Sequence, residues 1–302
     1  MGKEQFEKHS EFLPVVQNLQ IHFNMNKNRK GMKIAHEAPK SIFNLVQSST
    51  DYDYFLVHLF EEDEEYLTLA RNSVSLGREV ILDNSIFELG EAFDAERFQH
   101  WVNDLKPTWY IVPDKLEDCD GTIKNMENWI KNRKSGIDPE CKMIGVVQGK
   151  TYEDIVKCYR FMDKEANVDK IGISFDYSYY RESFKHPNKY VSWMMGRIKL
   201  LGDLLNDGVI NTSKPHHLLG CSLPQEFRYY NYRWIESLDT SNPVVHGMQG
   251  IRYRLGGLLS KESVKLYTLI NSQLDLNQKI DILHNIGVFK SFVADSTHEA
   301  IL

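Results

Sequence analysis

Short apolar runs recur along this chain, and most of them end at a polar residue that is followed by helical spacing. The run MIGVV at residues 143–147 has no polar interruption, which is typical of a strand buried on both faces of a parallel sheet. It stops at Gln148 and Gly149. A glutamine offers two donors and an acceptor, and a glycine lets a ligand approach the backbone closely. Gln148 and Gly149 are therefore candidates for binding the edge of a flat heterocycle.

Eight strands are predicted, and each is followed by a segment with helical spacing. The strands cover residues 32–35, 54–60, 80–82, 109–112, 143–147, 171–175, 217–219 and 234–238. Repeated strand-then-helix units predict an α/β fold, a (β/α)8 TIM-like barrel whose sites lie at the carboxyl ends of the strands. An open doubly wound sheet is the alternative, although neither a GxGxxG nor a GxxxxGKS/T motif supports nucleotide chemistry.

The chain is predicted to form one domain with two extensions. Residues 1–30 are polar and end in the basic, asparagine-rich stretch NMNKNRK, which predicts an N-terminal arm. The barrel domain covers residues 31–302 and includes a helical tail around residues 280–286. No internal repeat, low-complexity segment or linker rich in proline and glycine divides the sequence.

The composition favours an ordinary globular protein of the cytoplasm. Hydrophobic residues make up 42% of the 302 residues, and the net charge of −6 gives no basic field, so a nucleic-acid partner requires a local patch. The four cysteines include no CxxC pair, which argues against a disulfide framework or a cysteine-rich zinc site. Because no apolar run reaches ~18 residues and the N-terminus lacks a signal core, we expect a cytoplasmic protein without a membrane partner.

The mouth of the predicted barrel collects polar residues from different strands. They are Asp83, Asp114, Gln148, Asp176, Cys221 and Asp239. Two facing carboxylates suit glycosidic chemistry, in which one attacks the anomeric carbon and the other transfers a proton. Carboxylates also cap strand ends, so each of them has a structural explanation as well.

Five short segments occur in order between residues 80 and 247. They are LDNSIF (82–87), IGVVQGK (144–150), KIGIS (170–174), LLGCSLPQEF (218–227) and SLDTSNPVVHG (237–247). They resemble, in turn, the segments SDSGGY/F, FGIVQGG, AIGGL, LMGVGTPEDL and MFDCVLPTR of the tRNA-guanine transglycosylase superfamily. The resemblance covers more than half of the chain and agrees with the predicted barrel.

This resemblance implies that Asp239 is the nucleophile and Asp83 the general acid/base. Asp239 would attack C1′ of a guanosine nucleotide, release guanine and form a glycosyl-enzyme ester. An ester at an anomeric carbon conserves the free energy of the glycosidic bond for exchange.

The resemblance also implies how the base is bound. Asp114 and Gln148, with Gly149 beside them, would read the purine edge, although Asp118 lies close enough to Asp114 to replace it. Gly172 would offer backbone groups. Phe87 would stack on the base, as a planar purine requires.

The chain departs from the superfamily at its structural zinc. That zinc is held by a CxCxxC cluster and a histidine after the nucleophile, whereas this chain has no cysteine after Cys221. We therefore expect no zinc and no other cofactor, and we interpret His246 as a structural or substrate-contacting residue. His216 and His217 are not predicted to bind metal, because no acidic partner lies at ligand spacing. One of them is expected to face the core and the other the bottom turn.

A shortened, zinc-free chain resembles most closely the phage- and island-encoded branch, which exchanges guanine in DNA for a 7-deazaguanine base such as 7-cyano-7-deazaguanine. Its expected partners are DNA, or alternatively tRNA, and the free base. The target base must be extruded or presented in a single strand. Arginines and lysines interleaved with tyrosines are the candidate DNA contacts, since they suit phosphate and stacking interactions. They are Arg228, Arg233, Arg252, Arg254 and Lys261. The solvated face of an amphipathic helix explains them equally well.

Three other functions remain open at this point. The chain could be a tRNA-guanine transglycosylase, a catalytically inactive nucleic-acid-binding subunit of the same fold, or an unrelated barrel glycosidase. The last predicts a sugar pocket in place of an aromatic slot around Phe87. A homo-oligomer is also possible, because the tRNA enzymes are dimers.

Overall fold

A computed structural model of the chain describes residues 31–261 and 264–295. It contains eight strands: β1 (Lys33–Ala35), β2 (Asp53–Leu56), β3 (Val80–Asp83), β4 (Trp109–Ile111), β5 (Lys142–Val147), β6 (Lys170–Ile173), β7 (His216–Leu218) and β8 (Ile235–Asp239). All neighbouring pairs are parallel, in the order β1, β8, β7, β6, β5, β4, β3, β2. The strands form a nearly closed barrel with flanking helices, which confirms the predicted (β/α)8 fold class.

Helices connect the strands and cover the barrel. The α-helices are α1 (Phe43–Gln47), α2 (Leu59–Glu62), α3 (Glu64–Ser75), α4 (Ile86–Leu89), α5 (Ala95–Leu105), α6 (Cys119–Asn132), α7 (Tyr152–Arg160), α8 (Ser178–Ser183), α9 (Lys189–Asn206), α10 (Asn242–Met248) and α11 (Leu276–Asp295). A π-helical turn follows α7 at Phe161–Glu165. Short 3-10 helices cover Lys40–Ile42, Lys134–Gly136, Pro224–Tyr229 and Leu266–Leu269.

Two predicted strands end at least two residues earlier than the apolar pattern indicates. The strand expected at residues 54–60 stops at Leu56, because the chain turns there and Leu59 and Phe60 are buried from the short helix α2. A continuous apolar run fits a buried helix as well as a buried strand. The sixth strand stops at Ile173, so Phe175 belongs to the loop above the barrel.

β1 and β2 meet at a seam, where no ladder of hydrogen bonds joins neighbouring strands of the described chain. The backbone N–H of Asp51 donates to the carbonyl oxygen of Ile34 over 2.8 Å. The carboxylate of Asp51 accepts a hydrogen bond from the Ile34 N–H, also over 2.8 Å. The Tyr52 hydroxyl donates to the carbonyl oxygen of Leu238 over 2.6 Å. Two residues that precede β2 thus hold the barrel together where the sheet does not.

The C-terminal helix α11 is longer than the predicted tail at residues 280–286. Ile282 and Ile286 on this helix form a second apolar cluster with Val244 and Val245 of α10. The predicted N-terminal arm at residues 1–30 lies outside the described residues. Within the described part of the chain, no helix is both long and apolar enough to cross a membrane.

Candidate active site

The carboxyl ends of the strands surround a cavity of about 360 Å³. Five residues proposed from the sequence line it: Phe87, Asp83, Asp114, Gln148 and Asp239. The parallel strands bring these residues together, because their carboxyl ends all meet at one face of the barrel. Asp176, Cys221 and Lys261 also line the cavity. The volume is within the range of sites for small molecules.

Asp239 is held at the end of β8 by the neighbouring strand β7. Its Oδ1 lies 3.0 Å from Nε2 of His217 and 3.4 Å from the backbone nitrogen of Gly220. Nδ1 of the same histidine lies 3.0 Å from the hydroxyl of Ser237. Burial lowers the pKa of His217, although the Asp239 carboxylate opposes this shift. A neutral ring with its proton on Nε2 donates to Asp239 and accepts from Ser237, which satisfies both contacts.

Asp83 is the second carboxylate of the cavity, at the end of β3. Its Oδ2 accepts a hydrogen bond of 2.9 Å from the Tyr54 hydroxyl, and its Oδ1 accepts one of 3.3 Å from the Ser85 N–H. Burial raises the pKa of Asp83 to about 7, against the effect of the Tyr54 hydrogen bond, and the nearby carboxylates of Asp239 and Asp114 add to the rise. A carboxyl group with a pKa near neutrality is suited to giving and taking a proton.

Asp114, beyond the end of β4, is the centre of a polar array. Its Oδ1 accepts from the side-chain amide of Asn84 over 2.9 Å, and its Oδ2 accepts from that of Gln148 over 2.7 Å. The Gln148 Oε1 in turn accepts from the Glu117 N–H over 2.9 Å. Burial raises the pKa of Asp114. Asp118, the alternative to Asp114, caps the N-terminus of α6 by accepting from the Gly121 N–H, and it does not line the cavity.

Aromatic and acidic residues also line the cavity. Phe87 on α4 is 38% exposed, and its ring centroid lies 5.7 Å from that of Phe175. Burial raises the pKa of Glu88 to about 8, with a further contribution from Asp83. Burial also raises the pKa of Glu37, beyond the end of β1, well above its ordinary value. The sequence pattern points to neither glutamate, because Glu37 lies in the loop after β1 and Glu88 in the short helix α4, and neither belongs to a distinguishing motif.

Gly149 and Gly172 do not line the cavity, contrary to the prediction that they contact the base. A Cβ at Gly149 would lie 2.7 Å from Cβ of Asp154 and 2.8 Å from the backbone nitrogen of Ile155. Gly149 therefore permits the close approach of α7 to β5. Gly172 lies within β6, where a Cβ would be 3.1 Å from side-chain atoms of Val146 and Leu219 inside the barrel. Close packing thus gives both glycines a structural role.

The five predicted DNA contacts do not form one surface. Arg228 donates to the carbonyl oxygen of Leu255, and its guanidinium lies 4.2 Å from the ring centroid of Phe292. Arg252 forms an ion pair with Asp281. These two arginines thus bind to other parts of the same chain.

Arg233, Arg254 and Lys261 lie in different places. Arg233 is exposed just before β8, at the end of the barrel opposite the cavity. Arg254 is exposed in the loop after α10. Lys261 lies in the cavity wall, where its Nζ donates to the carbonyl oxygen of Cys221 over 2.8 Å and lies 3.7 Å from the ring centroid of Phe175. A basic and aromatic sequence pattern does not show which residues share a face.

The histidine pair divides between the inside and the outside of the barrel. His217 faces inward, whereas His216 packs between Tyr159 and Trp234, with its Nδ1 2.9 Å from the carbonyl oxygen of Lys214 in the bottom turn. Nδ1 of His246 lies 2.8 Å from the carbonyl oxygen of Asn242. No group of three or more histidine, cysteine, aspartate or glutamate residues within 31–261 and 264–295 is arranged to hold a metal ion.

No protein-family model matches the sequence, and no curated protein matches it either. The functional assignment therefore depends on the geometry of the cavity and on the short motifs described above.

Proposed function

We propose that this protein is a DNA-guanine transglycosylase, which exchanges guanine in DNA for a 7-deazaguanine base through a covalent glycosyl-aspartate intermediate. One observation carries the proposal. Asp83 and Asp239 line the same cavity as the array of Asp114 and Gln148, beside the ring of Phe87. Base exchange requires four elements: a nucleophile, a proton-transfer group, a hydrogen-bonding edge and a stacking surface.

In the first half of the reaction, a carboxylate oxygen of Asp239 attacks C1′ of the target nucleotide. The bond between C1′ and N9 breaks, and its electron pair leaves with guanine. Asp83 donates a proton that neutralises the leaving purine. A carboxyl group with a pKa of about 7 is able to supply this proton. His217 and Gly220 hold the attacking carboxylate in position. The product is an ester between Asp239 and the sugar.

In the second half, the free 7-deazaguanine base replaces guanine in the cavity. The carboxylate of Asp83 takes the proton from N9 of the incoming base, and N9 attacks C1′. The ester bond breaks, and Asp239 is released as a carboxylate. One glycosidic bond is broken and one is formed, so the exchange consumes no water and no energy-rich cofactor.

Asp114 provides the recognition of the base. A carboxylate has about four lone-pair positions, and Asn84 and Gln148 each occupy one of them. Two acceptor positions therefore remain for adjacent donors, which matches the N1–H and the 2-amino group of guanine and of its 7-deaza analogues. The two amide donors also fix the rotation of the carboxylate before a base arrives.

The alternatives differ from this proposal in specific features. A sugar-binding glycosidase would hold a sugar, and not a planar base, beside Phe87 and the array around Asp114. An inactive subunit does not require both Asp83 and Asp239. The choice of DNA over tRNA rests on the absence of a zinc-binding cysteine cluster from the sequence.

Base exchange tests the proposal directly. The protein is incubated with 7-cyano-7-deazaguanine and with DNA or tRNA that carries labelled guanine, and release of the label is followed. We expect release from DNA, its loss in Asp239→Asn, and normal release in Asp120→Asn, which changes an exposed aspartate on α6. Release from tRNA alone assigns the protein to the other branch. If neither nucleic acid releases guanine with folded protein, the proposal is wrong.

A further inference from the structure

A row of four aromatic rings runs along the wall of the cavity. It begins at Phe87 and Phe175, whose centroids are 5.7 Å apart. Phe175 lies 6.2 Å from Trp193, and Trp193 lies 5.8 Å from Tyr190. All four residues line the cavity. The row is longer than a single nucleobase needs, so Trp193 and Tyr190 remain when a target base is placed beside Phe87.

The end of this row formed by Trp193 and Tyr190 carries a positive charge. Lys189 is exposed at the first position of α9, after Asn188, which caps that helix. Its Nζ lies 5.0 Å from the ring centroid of Tyr190 and 5.5 Å from that of Trp193. The ammonium group therefore covers the same aromatic faces on which a planar ligand would stack.

Aromatic rings combined with a positively charged side chain are the usual means of binding single-stranded nucleic acid without reading its sequence. Each base stacks on a ring, and the cation contacts the phosphate that joins it to the next nucleotide. A base that reaches the inner cavity is extruded or single-stranded, and its neighbours in the strand remain attached to it. The neighbouring nucleotide must then lie between the target base and solvent. Lys189, which lines the cavity, is exposed to solvent, and Tyr190 and Trp193 beside it are half-buried.

We infer that Lys189, Tyr190 and Trp193 form a subsite for the nucleotide adjacent to the target base in a single strand. The adjacent base stacks on the ring of Trp193, with the ring of Tyr190 edge-on beside it, and the ammonium of Lys189 moves from these rings to the connecting phosphate. This inference rests on the proposed function, because it places the target base in the inner cavity. The contact with the single-stranded nucleic acid is thus placed at the start of α9 and not at the arginines that the sequence pattern favours.

Binding of short single-stranded oligonucleotides to the Asp239→Asn protein tests the subsite without catalysis. Each oligonucleotide carries one guanine flanked by thymines, in a DNA form and an RNA form, and a third DNA form has abasic sites at both flanking positions. Fluorescence anisotropy gives the dissociation constants at several salt concentrations. The variants are Trp193→Ala, Trp193→Phe, which keeps an aromatic face, and Lys189→Ala. The control is Lys131→Ala, an exposed lysine near the C-terminus of α6 at the other end of the barrel.

We expect Trp193→Ala to weaken binding of the thymine-flanked strand by about 5- to 100-fold, as for the loss of one base stack, and Trp193→Phe to restore most of it. Trp193→Ala should not weaken binding of the abasic form. Lys189→Ala should lower the salt dependence of log K by about 0.7, the value for one phosphate contact on a single strand, and Lys131→Ala should change nothing.

The inference is overturned if the abasic form binds as tightly as the thymine-flanked form, if Trp193→Ala weakens both equally, or if no single strand binds. Stacking-dependent binding without any base exchange supports the subsite and rejects the proposed chemistry. Base exchange that is unaffected by Trp193→Ala and Lys189→Ala supports the proposed chemistry and rejects the subsite. A DNA form that binds more tightly than the RNA form identifies the natural strand as DNA.

Discussion

Nε2 of His217 faces Oδ1 of Asp239 at 3.0 Å, across two neighbouring parallel strands. The register of β7 and β8 sets this contact, because His217 is paired with Ser237 and Asp239 is the next inward-facing residue on β8. Ser237 continues the hydrogen-bonded chain, since Nζ of the buried Lys170 lies 3.4 Å from its hydroxyl. His217 is thus a positioning residue that fixes the orientation of the carboxylate we propose as nucleophile.

Replacing His217 should slow the chemical step with little effect on substrate binding. We expect His217→Phe to lower kcat by about 10- to 100-fold with KM nearly unchanged, because the carboxylate loses its donor but the base-binding array remains. His217→Gln keeps an N–H donor and should recover part of the rate. Steady-state kinetics of base exchange checks this prediction. An increase in KM with unchanged kcat would show that the histidine acts on binding instead.

Asp83 should make the folded protein less stable at alkaline pH. Its pKa is about 7 in the folded state and ~3.9 in an unfolded chain, so the folded state binds more protons between these values. The penalty for the buried charge is therefore complete above pH 7, decreases as the pH falls through 7, and is absent near pH 4. We expect Asp83→Asn to raise the free energy of unfolding at pH 8 by up to roughly 4 kcal/mol.

Thermal unfolding of wild type and Asp83→Asn at pH 8 and pH 4.5 measures this effect. The same variant should lose about 100-fold or more of its exchange rate, because an amide cannot transfer the proton. Equal stabilisation at both pH values would mean that repacking, and not the charge, is responsible.

Asp114 should determine the affinity for the free base. Asp114→Asn replaces acceptor positions with an amide donor that faces the N1–H and 2-amino group of the base. We expect calorimetry to show binding of 7-cyano-7-deazaguanine weakened by about 100-fold or more. Asp118→Asn is the matched control, because Asp118 caps α6 outside the cavity, and its affinity should equal that of wild type. If Asp118→Asn loses affinity and Asp114→Asn does not, the base is bound by Asp118 and not by Asp114.

Gly149→Ala should reduce stability without changing base affinity. The added methyl group would lie 2.8 Å from the backbone nitrogen of Ile155, and the start of α7 must shift to accommodate it. Overpacking of this kind costs about 1–3 kcal/mol. Gly202→Ala is the control, since nothing lies within 4 Å of its Cβ position in α9 and alanine favours a helix. Chemical denaturation should separate the two variants, and a loss of base affinity in folded Gly149→Ala would restore its role in binding.

The sequence predicts the barrel and the positions of its carboxylates because both depend on local patterns. A buried strand followed by Asp83 or Asp239 must deliver that residue to the carboxyl face once the strands are parallel. The alternation of strand and helix, which makes the strands parallel, is enough to place both carboxylates at the same face. The cavity-lining positions of Asp114 and Gln148 follow in the same way.

Contacts between strands are the part that the sequence does not reveal. Tyr54 bonds to Asp83, and His217 to Asp239, because of register and barrel curvature, which no single segment encodes. The same limit applies to Gly149. The motif around it predicts a ligand contact, but that motif does not show that the start of α7 packs against this glycine. Charge patterns are equally ambiguous, as Arg228 and Arg252 show by pairing within the chain.

The seam between β1 and β2 lies between the two carboxylates. Asp239 stands on β8, which is paired with β1, and Asp83 stands on β3, which is paired with β2. Hydrogen bonds of Asp51 and Tyr52, together with an ion pair between Lys33 of β1 and Glu79, connect the two halves in place of a ladder. Among the barrel strands, we therefore expect the backbone amides of β1 and β2 to exchange their hydrogens fastest. An opening at this seam would increase the distance between the two carboxylates that we propose as nucleophile and acid/base, so we expect local motion of the barrel to disturb their alignment.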